Sequence, residues 1–128
     1  MKTKFSSTWN SSIQPRKQRK FRRNAPLHLK NKLLSATLDK KLRKELGIRS
    51  LPIRKGDGVV VMRGSSRGKT GSVVKVDLGI GKVYVDSVKM KKASGQEMDA
   101  PIDPSNIKIT KPVMIDGRRI KKKIQKKV

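Results

Sequence analysis

A glycine- and valine-rich stretch near the middle of the chain carries the strongest indication of its fold. It reads Ile53-Arg-Lys-Gly-Asp57-Gly-Val-Val-Val-Met-Arg-Gly64-Ser-Ser-Arg-Gly68-Lys-Thr-Gly71-Ser-Val-Val-Lys-Val-Asp77. Two Val-rich runs stand on either side of a segment that contains Gly64 and Gly68. Valine is enriched in strands, and a glycine-containing loop between two such runs is typical of a β-hairpin. The stretch therefore predicts two strands, Val59–Met62 and Ser72–Leu78.

Further strands are expected downstream, over Lys82–Val88 and Ile107–Thr110. Within Ser72–Leu78, the residues Val74, Val76 and Leu78 alternate with polar residues, and Val83 and Val85 alternate in the same way in the next strand. This period of two predicts one buried and one solvated face. The composition predicts a mainly β fold, with a small closed or partly open barrel.

Two short helices are expected before the barrel. Asn24 and Pro26 favour a helix start before Leu27–Leu34, and Gly47 favours the end of a second helix over Leu38–Leu46, which Thr37 or Asp39 could cap. We divide the chain into an extended basic arm (1–23), short helices (24–50), a barrel (51–110) and a basic C-terminal tail (111–128). Residues 1–23 and 117–128 offer little to bury, so we expect them to order only on a partner.

Charge is concentrated outside the barrel. The 128 residues include 34 Lys+Arg and 9 Asp+Glu, a net charge of +25. Residues 1–55 carry 17 basic and 2 acidic side chains, residues 56–110 carry 9 and 6, and residues 111–128 carry 8 and 1. This distribution indicates a polyanionic partner bound mainly by the arms, either nucleic acid or an anionic membrane.

Several classes of site and partner are disfavoured. There is no Cys and one His, which excludes Cys-ligated zinc, iron–sulfur clusters and two-His zinc helices. The longest apolar run, Val59–Met62, is far shorter than the ~20 residues of a spanning helix. We therefore expect a soluble cytoplasmic protein with no membrane partner and no cofactor, with Mg²⁺ only as a counter-ion of RNA.

The segment Gly64-Ser-Ser-Arg-Gly68-Lys69-Thr70 resembles a phosphate-binding P-loop but has three residues where that motif has four. A strand rather than a helix is expected after it, so the helix N-terminus that would hold phosphates is missing. We interpret the segment as a hairpin loop that presents cations to a nucleic-acid backbone, and we expect no enzyme activity. A small P-loop enzyme remains an alternative, for which turnover abolished by Lys69→Ala would be diagnostic.

Several other features leave alternatives open. Arg16–Arg23 has six cations in eight residues, suited to RNA or to a solvated tail or nuclear-localisation signal. Phe21 could stack on a base or pack under the helices, and Trp9 is expected to insert into the partner. The tail after Arg118 favours phosphate neutralisation over a membrane-surface or calmodulin-type helix. Gln96–Asp103 favours a strand and turn over a magnesium site, and His28 favours a backbone or RNA contact over metal.

The central stretch resembles a KOW motif, which also occurs in transcription elongation factors. Four more segments match in order and spacing: Gln14-Pro-Arg-Lys-Gln-Arg-Lys-Phe21, Asn24-Ala-Pro-Leu-His28, Arg49-Ser-Leu-Pro-Ile-Arg-Lys-Gly-Asp57 and Pro101-Ile-Asp-Pro-Ser-Asn-Ile-Lys-Ile-Thr110. Together they resemble the KOW-domain ribosomal protein family of the large subunit, number twenty-four in the bacterial series and twenty-six in the eukaryotic one, in its archaeal/eukaryotic branch.

This resemblance implies an SH3-like barrel that binds the 5′ domain of the large-subunit rRNA, supports early assembly and lies near the polypeptide exit tunnel. It also implies neighbouring ribosomal proteins as partners, no homo-oligomer, and nucleolar transit if the source has a nucleus. The alternatives are a KOW module of a transcription or RNA-processing factor and a nucleoid or chromatin protein.

Candidate RNA contacts come from the matched motifs and from the basic segments beside them. They are Arg16, Lys17, Arg19, Lys20, Arg22, Arg23, His28, Lys30, Lys32, Arg54, Lys55, Arg63, Ser65, Ser66, Arg67, Lys69, Ser105, Asn106, Arg118 and Arg119. The chain departs from the family pattern at Ser65-Ser66, where a bulkier pair is common, and at Asp103, where a His is common. An acidic group facing phosphate is unfavourable, so Asp103 is not a candidate.

Overall fold

A computed structural model describes residues 12–113 and Arg119. Three helices and seven strands follow one another in these residues: α1 (Pro15–Asn24), α2 (Leu27–Leu33), β1 (Ser35–Leu38), α3 (Lys40–Leu46), β2 (Ser50–Pro52), β3 (Gly58–Val61), β4 (Thr70–Asp77), β5 (Lys82–Lys91), β6 (Glu97–Ile102) and β7 (Ile107–Lys111). A 3₁₀ turn, Pro104–Asn106, joins β6 to β7. The prediction of a mainly β fold is confirmed.

The strands form one sheet in the order β2-β1-β7-β3-β4-β5-β6. β1 and β7 are parallel, with Thr37 opposite Lys108, and the other neighbours are antiparallel. If the sheet were flat, β2 and β6 would lie roughly 29 Å apart, at six strand spacings. Leu51 of β2 and Ile102 of β6 instead belong to one buried cluster with Val59 and Ile109. The sheet is therefore strongly curled, as in the small SH3-like barrel that was predicted.

Strand β4 differs from the predicted alternation at one position. Val74 was expected on the buried face, yet it is 39% exposed, while Val73 is 2% exposed. The pairing between β4 and β5 shifts register between Val73 and Lys75. This irregularity turns Val74 outward, and beyond it Val76 and Leu78 pack against the core as predicted.

The second predicted helix begins later than expected. Leu38 lies in β1 and is fully buried, and its N–H donates to the Arg49 carbonyl at 3.0 Å. Helix α3 begins only after Asp39, which occupies the N-cap position without a side-chain capping bond, and it ends as predicted at Gly47, in the left-handed conformation with φ 65°. Leu38 also pairs with Ile109 of β7, which is distant along the chain, and this pairing removes Leu38 from the helix.

Residues before the barrel also contain a helix that was not predicted. The arm 1–23 was expected to be extended, but Pro15–Asn24 form α1, with a proline in its first turn. Proline is favoured there because the first N–H groups of a helix have no intrahelical partner. Residues 1–11, with Trp9, and the predicted C-terminal tail apart from 111–113 and Arg119 lie outside the described residues.

Asp57 of the central motif is a structural residue inside the barrel. Its side chain is fully buried and accepts hydrogen bonds from the Arg54 N–H at 2.9 Å and the Val113 N–H at 3.0 Å. Both of its oxygens also accept from the guanidinium of Arg119, with Oδ1 3.0 Å from Nη1. Asp57 thereby fastens the chain beyond β7 to the segment before β3.

In the described part of the chain, no helix combines the length and apolar character needed to cross a membrane.

Candidate nucleic-acid interface

Helix α1 presents its cations to solvent. No residue of the helix is buried, and all six of its Arg and Lys side chains are exposed: Arg16, Lys17, Arg19, Lys20, Arg22 and Arg23. Phe21 is partly buried, which agrees better with packing than with full exposure to an RNA base. Within residues 12–113 and Arg119, none of the ion pairs involves α1.

The charges of α1 oppose its own stability. Arg16 and Lys20 are four residues apart, as are Arg19 and Arg23, and like charges at this spacing destabilise a helix by about 0.2–0.5 kcal/mol per pair. Cations in the first turn also face the positive end of the helix dipole. A bound polyanion would remove both penalties, so the composition of α1 favours an anionic partner.

The loop between β3 and β4 holds a second set of cations. Arg63, Arg67 and Lys69 are exposed, and Gly64 and Gly68 have φ of 96° and 87°. The base of the loop is closed by hydrogen bonds from the Gly68 N–H to the Val61 carbonyl at 2.8 Å and from the Val61 N–H to the Lys69 carbonyl at 2.9 Å. Strand β4 follows directly, which confirms the hairpin interpretation over the P-loop.

The 3₁₀ turn lies beside this loop. The Met62 N–H, at the start of the loop, donates to the Asn106 carbonyl at 2.7 Å. Asp103 accepts from the Ser105 N–H at 3.1 Å and from its hydroxyl at 3.0 Å, and pairs with Lys82 at 3.6 Å. The Ser105 hydroxyl proton is therefore used within the turn, so toward any other partner the hydroxyl oxygen can act only as an acceptor.

The same contacts set the ionisation of Asp103. Partial burial alone would raise the pKa of Asp103, but the hydrogen bonds from Ser105 and the charge of Lys82 outweigh it, so the pKa lies below its ordinary value of 3.8. Asp103 is consequently a carboxylate at neutral pH.

A cleft of about 630 Å³ separates the helices from the barrel. Arg22 and Arg23 at the end of α1, Lys30 of α2 and Ser105 of the 3₁₀ turn line it, together with the β4–β5 turn. The predicted residues Arg22, Arg23 and Lys30 are thus brought together with Ser105, which lies more than 70 residues further along the chain. We use the term basic face for α1, this cleft, the 3₁₀ turn and the β3–β4 loop.

Other predicted contacts are distributed over several elements. Arg54 and Lys55 precede β3 and Arg63 follows it, so they stand at opposite ends of a strand roughly 13 Å long. His28 and Lys32 are exposed on α2. The serine pair 65–66 lies in the β3–β4 loop and belongs to the basic face, with Ser65 exposed and Ser66 partly buried.

The RNA contact predicted for Arg119 requires correction. Arg119 is 3% exposed, its guanidinium pairs with Asp57, and its Nε donates to the Pro52 carbonyl at 3.2 Å. A guanidinium committed to these partners inside the protein is not available to phosphate. Arg118, the other predicted contact of the tail, lies outside the described residues.

The acidic segment Gln96–Asp103 forms the predicted strand and turn. In β6, Glu97 and Asp99 stand opposite Lys91 and Lys89 of β5, so their charges face cations. Among the residues that the structure describes, no three His, Asp or Glu side chains are grouped so as to hold a metal ion.

Sequence reasoning did not single out Lys82 or the exposed lysines of α3. Lys82 lines the cleft, which could not be foreseen because its position there depends on tertiary packing. Lys40, Lys41 and Lys44 are exposed on α3, and their grouping before Gly47 was a readable signal.

A comparison with protein families identifies the family to which this chain belongs. Residues 12–127 match the family described as ribosomal proteins L26 of eukaryotes and L24 of archaea. The chain belongs to this family. It is accordingly a structural ribosomal protein of the large subunit, in agreement with the predicted family and branch. The match includes most of the C-terminal tail as well as the barrel.

Proposed function

We propose that the chain binds large-subunit rRNA mainly through the basic face, with α1 as its principal electrostatic contact. The observation that carries the proposal is that α1 exposes six cations, buries no residue and contains no acidic side chain. The helix therefore contributes little to the core of the protein, and its composition suits the neutralisation of packed phosphates.

The barrel has a different role in this proposal. Residues 56–110 carry 9 basic and 6 acidic side chains, a net charge of only +3. The β3–β4 loop and the 3₁₀ turn, each closed by its own hydrogen bonds, orient the protein on the backbone and 2′-hydroxyls of folded RNA. Recognition then depends on the shape of the RNA more than on base sequence.

Resemblance at the quoted motifs supports a finer placement. We propose that the rRNA site lies in the 5′ domain, that binding supports early assembly, and that neighbouring proteins near the exit tunnel share the interface. In a nucleated source, the protein would pass through the nucleolus before it reaches cytoplasmic ribosomes.

Binding of large-subunit rRNA by charge variants tests the proposal. In the counterion-release description, one phosphate contact at about 0.15 M salt contributes a factor of about four in affinity. Arg16→Gln, Arg19→Gln and Arg23→Gln together are expected to weaken binding about 50-fold.

The matched control removes three cations from the β5–β6 hairpin, by Lys89→Gln, Lys91→Gln and Lys92→Gln. Two of these lysines stand opposite carboxylates, so their charge is locally balanced. The control should bind nearly as tightly as the unaltered protein. Equal losses in both triple variants would refute a localised basic face.

A further inference from the structure

The cleft between the helices and the barrel combines two kinds of surface. Arg22, Arg23 and Lys30 supply positive charge on the helix side. Leu33 and Ile80 supply apolar surface, and they are 50% and 61% exposed although both side chains are large and aliphatic. A nucleotide has the same division, with apolar base faces and an anionic phosphate. The volume of about 630 Å³ is within the range of sites that hold small molecules.

The walls of the cleft are fixed by internal hydrogen bonds. Asp77 Oδ1 accepts from the N–H groups of Gly79 at 3.0 Å and Ile80 at 3.4 Å. Lys30 reaches across from α2, where its Nζ donates to the Gly79 carbonyl at 3.4 Å. The β4–β5 turn is therefore held in place before any ligand arrives, which lowers the entropic cost of binding.

Asp103 supplies the third feature of the cleft. Its side chain is half exposed and carries a negative charge at neutral pH, with Lys82 beside it at 3.6 Å. A carboxylate repels phosphate but accepts hydrogen bonds from the amino groups of adenine, guanine or cytosine. Arg22 and Arg23 line the same cleft, which therefore has one acidic and one basic subsite.

We propose that this cleft binds one unstacked nucleotide of the rRNA. Its base packs on Leu33 and Ile80, its amino edge donates to Asp103, and its phosphate lies against Arg22 and Arg23. The inference rests on the proposed function, since the nucleotide belongs to the RNA that the basic face binds. The nucleotide site adds a base-specific contact to an interface that otherwise recognises the shape of the RNA.

Apolar-to-polar variants of the full chain test the cleft with large-subunit rRNA as the probe. Ile80→Ser and Leu33→Ser are each expected to weaken binding about tenfold, because each change removes apolar surface that the bound base would cover, without removing a charge. The salt dependence of binding should stay unchanged in both. Met98→Ser is the matched control, since Met98 is a large apolar side chain that is 44% exposed on β6, and it should bind normally.

Failure of the inference and failure of the proposed function give different results. If Ile80→Ser and Leu33→Ser bind like the unaltered protein while Arg22→Gln and Arg23→Gln weaken binding, the nucleotide site is refuted and the basic face stands. If none of the four variants weakens binding, both the nucleotide site and the proposed function are refuted. Equal loss in the Met98 control would also overturn the nucleotide site.

The contact with Asp103 has its own test by NMR, from the methyl signals of Leu33 and Ile80. Cytidine 5′-monophosphate should shift these signals at several-fold lower concentration than uridine 5′-monophosphate, which lacks an amino group. Asp103→Asn, which retains an acceptor for Ser105 but not the charge, should reduce this preference. Equal binding of the two nucleotides would overturn the role given to Asp103.

Discussion

Asp57 shows how one residue of the motif stabilises the molecule from the inside. Its carboxylate is fully buried and receives two backbone N–H groups and the Arg119 guanidinium. Because the pair is desolvated, loss of one member leaves the other as an uncompensated buried charge. This motif residue thus supports the barrel and the chain beyond β7.

Asp57→Ala is expected to lower the free energy of unfolding by about 3–5 kcal/mol, because it leaves Arg119 charged and unpaired in the interior. Urea unfolding of the full chain measures this, with the exposed Asp99→Ala as control. A loss below about 0.5 kcal/mol would contradict the structural role, since this is the range of ordinary surface substitutions.

Gly71 is required where β4 passes close to β5. A Cβ at this position would lie 2.2 Å from Asp86 Oδ1 and 2.9 Å from Val85 Cγ1. We expect Gly71→Ala to destabilise the protein by about 1–3 kcal/mol through overpacking. At Gly79 the nearest atom would be 3.4 Å away, so Gly79→Ala serves as the control in the same unfolding measurement. Equal stability of both variants would show that the strands can separate at no cost.

The lowered pKa of Asp103 makes part of the stability depend on pH. The unfolded state binds the proton more tightly than the folded state, so the contribution is fully present above about pH 5 and is lost as the pH falls through the folded pKa below 3.8. The urea midpoints of the unaltered protein and Asp103→Asn should therefore differ at about pH 6 and converge toward about pH 2.5. A difference that grows on acidification would contradict this assignment.

At the scale of elements, α1 depends on its surroundings more than the other helices do. Since repulsion between its cations opposes the helix, we expect its helical population to rise with sulfate, a divalent anion, more than with chloride at equal ionic strength. The Cα chemical shifts of residues 15–24 report this, and those of β3, which contains no charged residue, serve as the internal control. Identical responses to the two salts would contradict the electrostatic account of α1.

An element could be predicted from the sequence when the residues that stabilise it are close together in the chain. The hairpin of β3 and β4 and the end of α3 at Gly47 were predicted because valine runs and a left-handed glycine act within a few residues. Strand β1 was missed because it is stabilised by β7, far away along the chain, through pairs such as Thr37 with Lys108. The outward turn of Val74 has the same origin, since the register shift exists only between paired strands.

At the scale of the whole molecule, the charge of the sequence predicted the class of partner. The residues that meet at the site could be identified only from the folded structure. The cations of α1 were predicted as a group because they are adjacent in the chain. The meeting of Arg22, Lys30 and Ser105 in one cleft depends on the packing of the helices against the barrel. The burial of Arg119 could not be predicted, because nothing in a run of basic residues indicates that one of them lies inside the protein.

The most direct test of the account is the salt dependence of rRNA binding by the full chain. If α1 neutralises phosphates, the magnitude of the negative slope of log affinity against log salt should decrease by about 2 when Arg16, Arg19 and Arg23 are changed to Gln, at about 0.7 per contact. The slope should be nearly unchanged in the triple variant of Lys89, Lys91 and Lys92. An unaltered slope in the α1 variant would contradict the claim that this helix is the electrostatic anchor on rRNA.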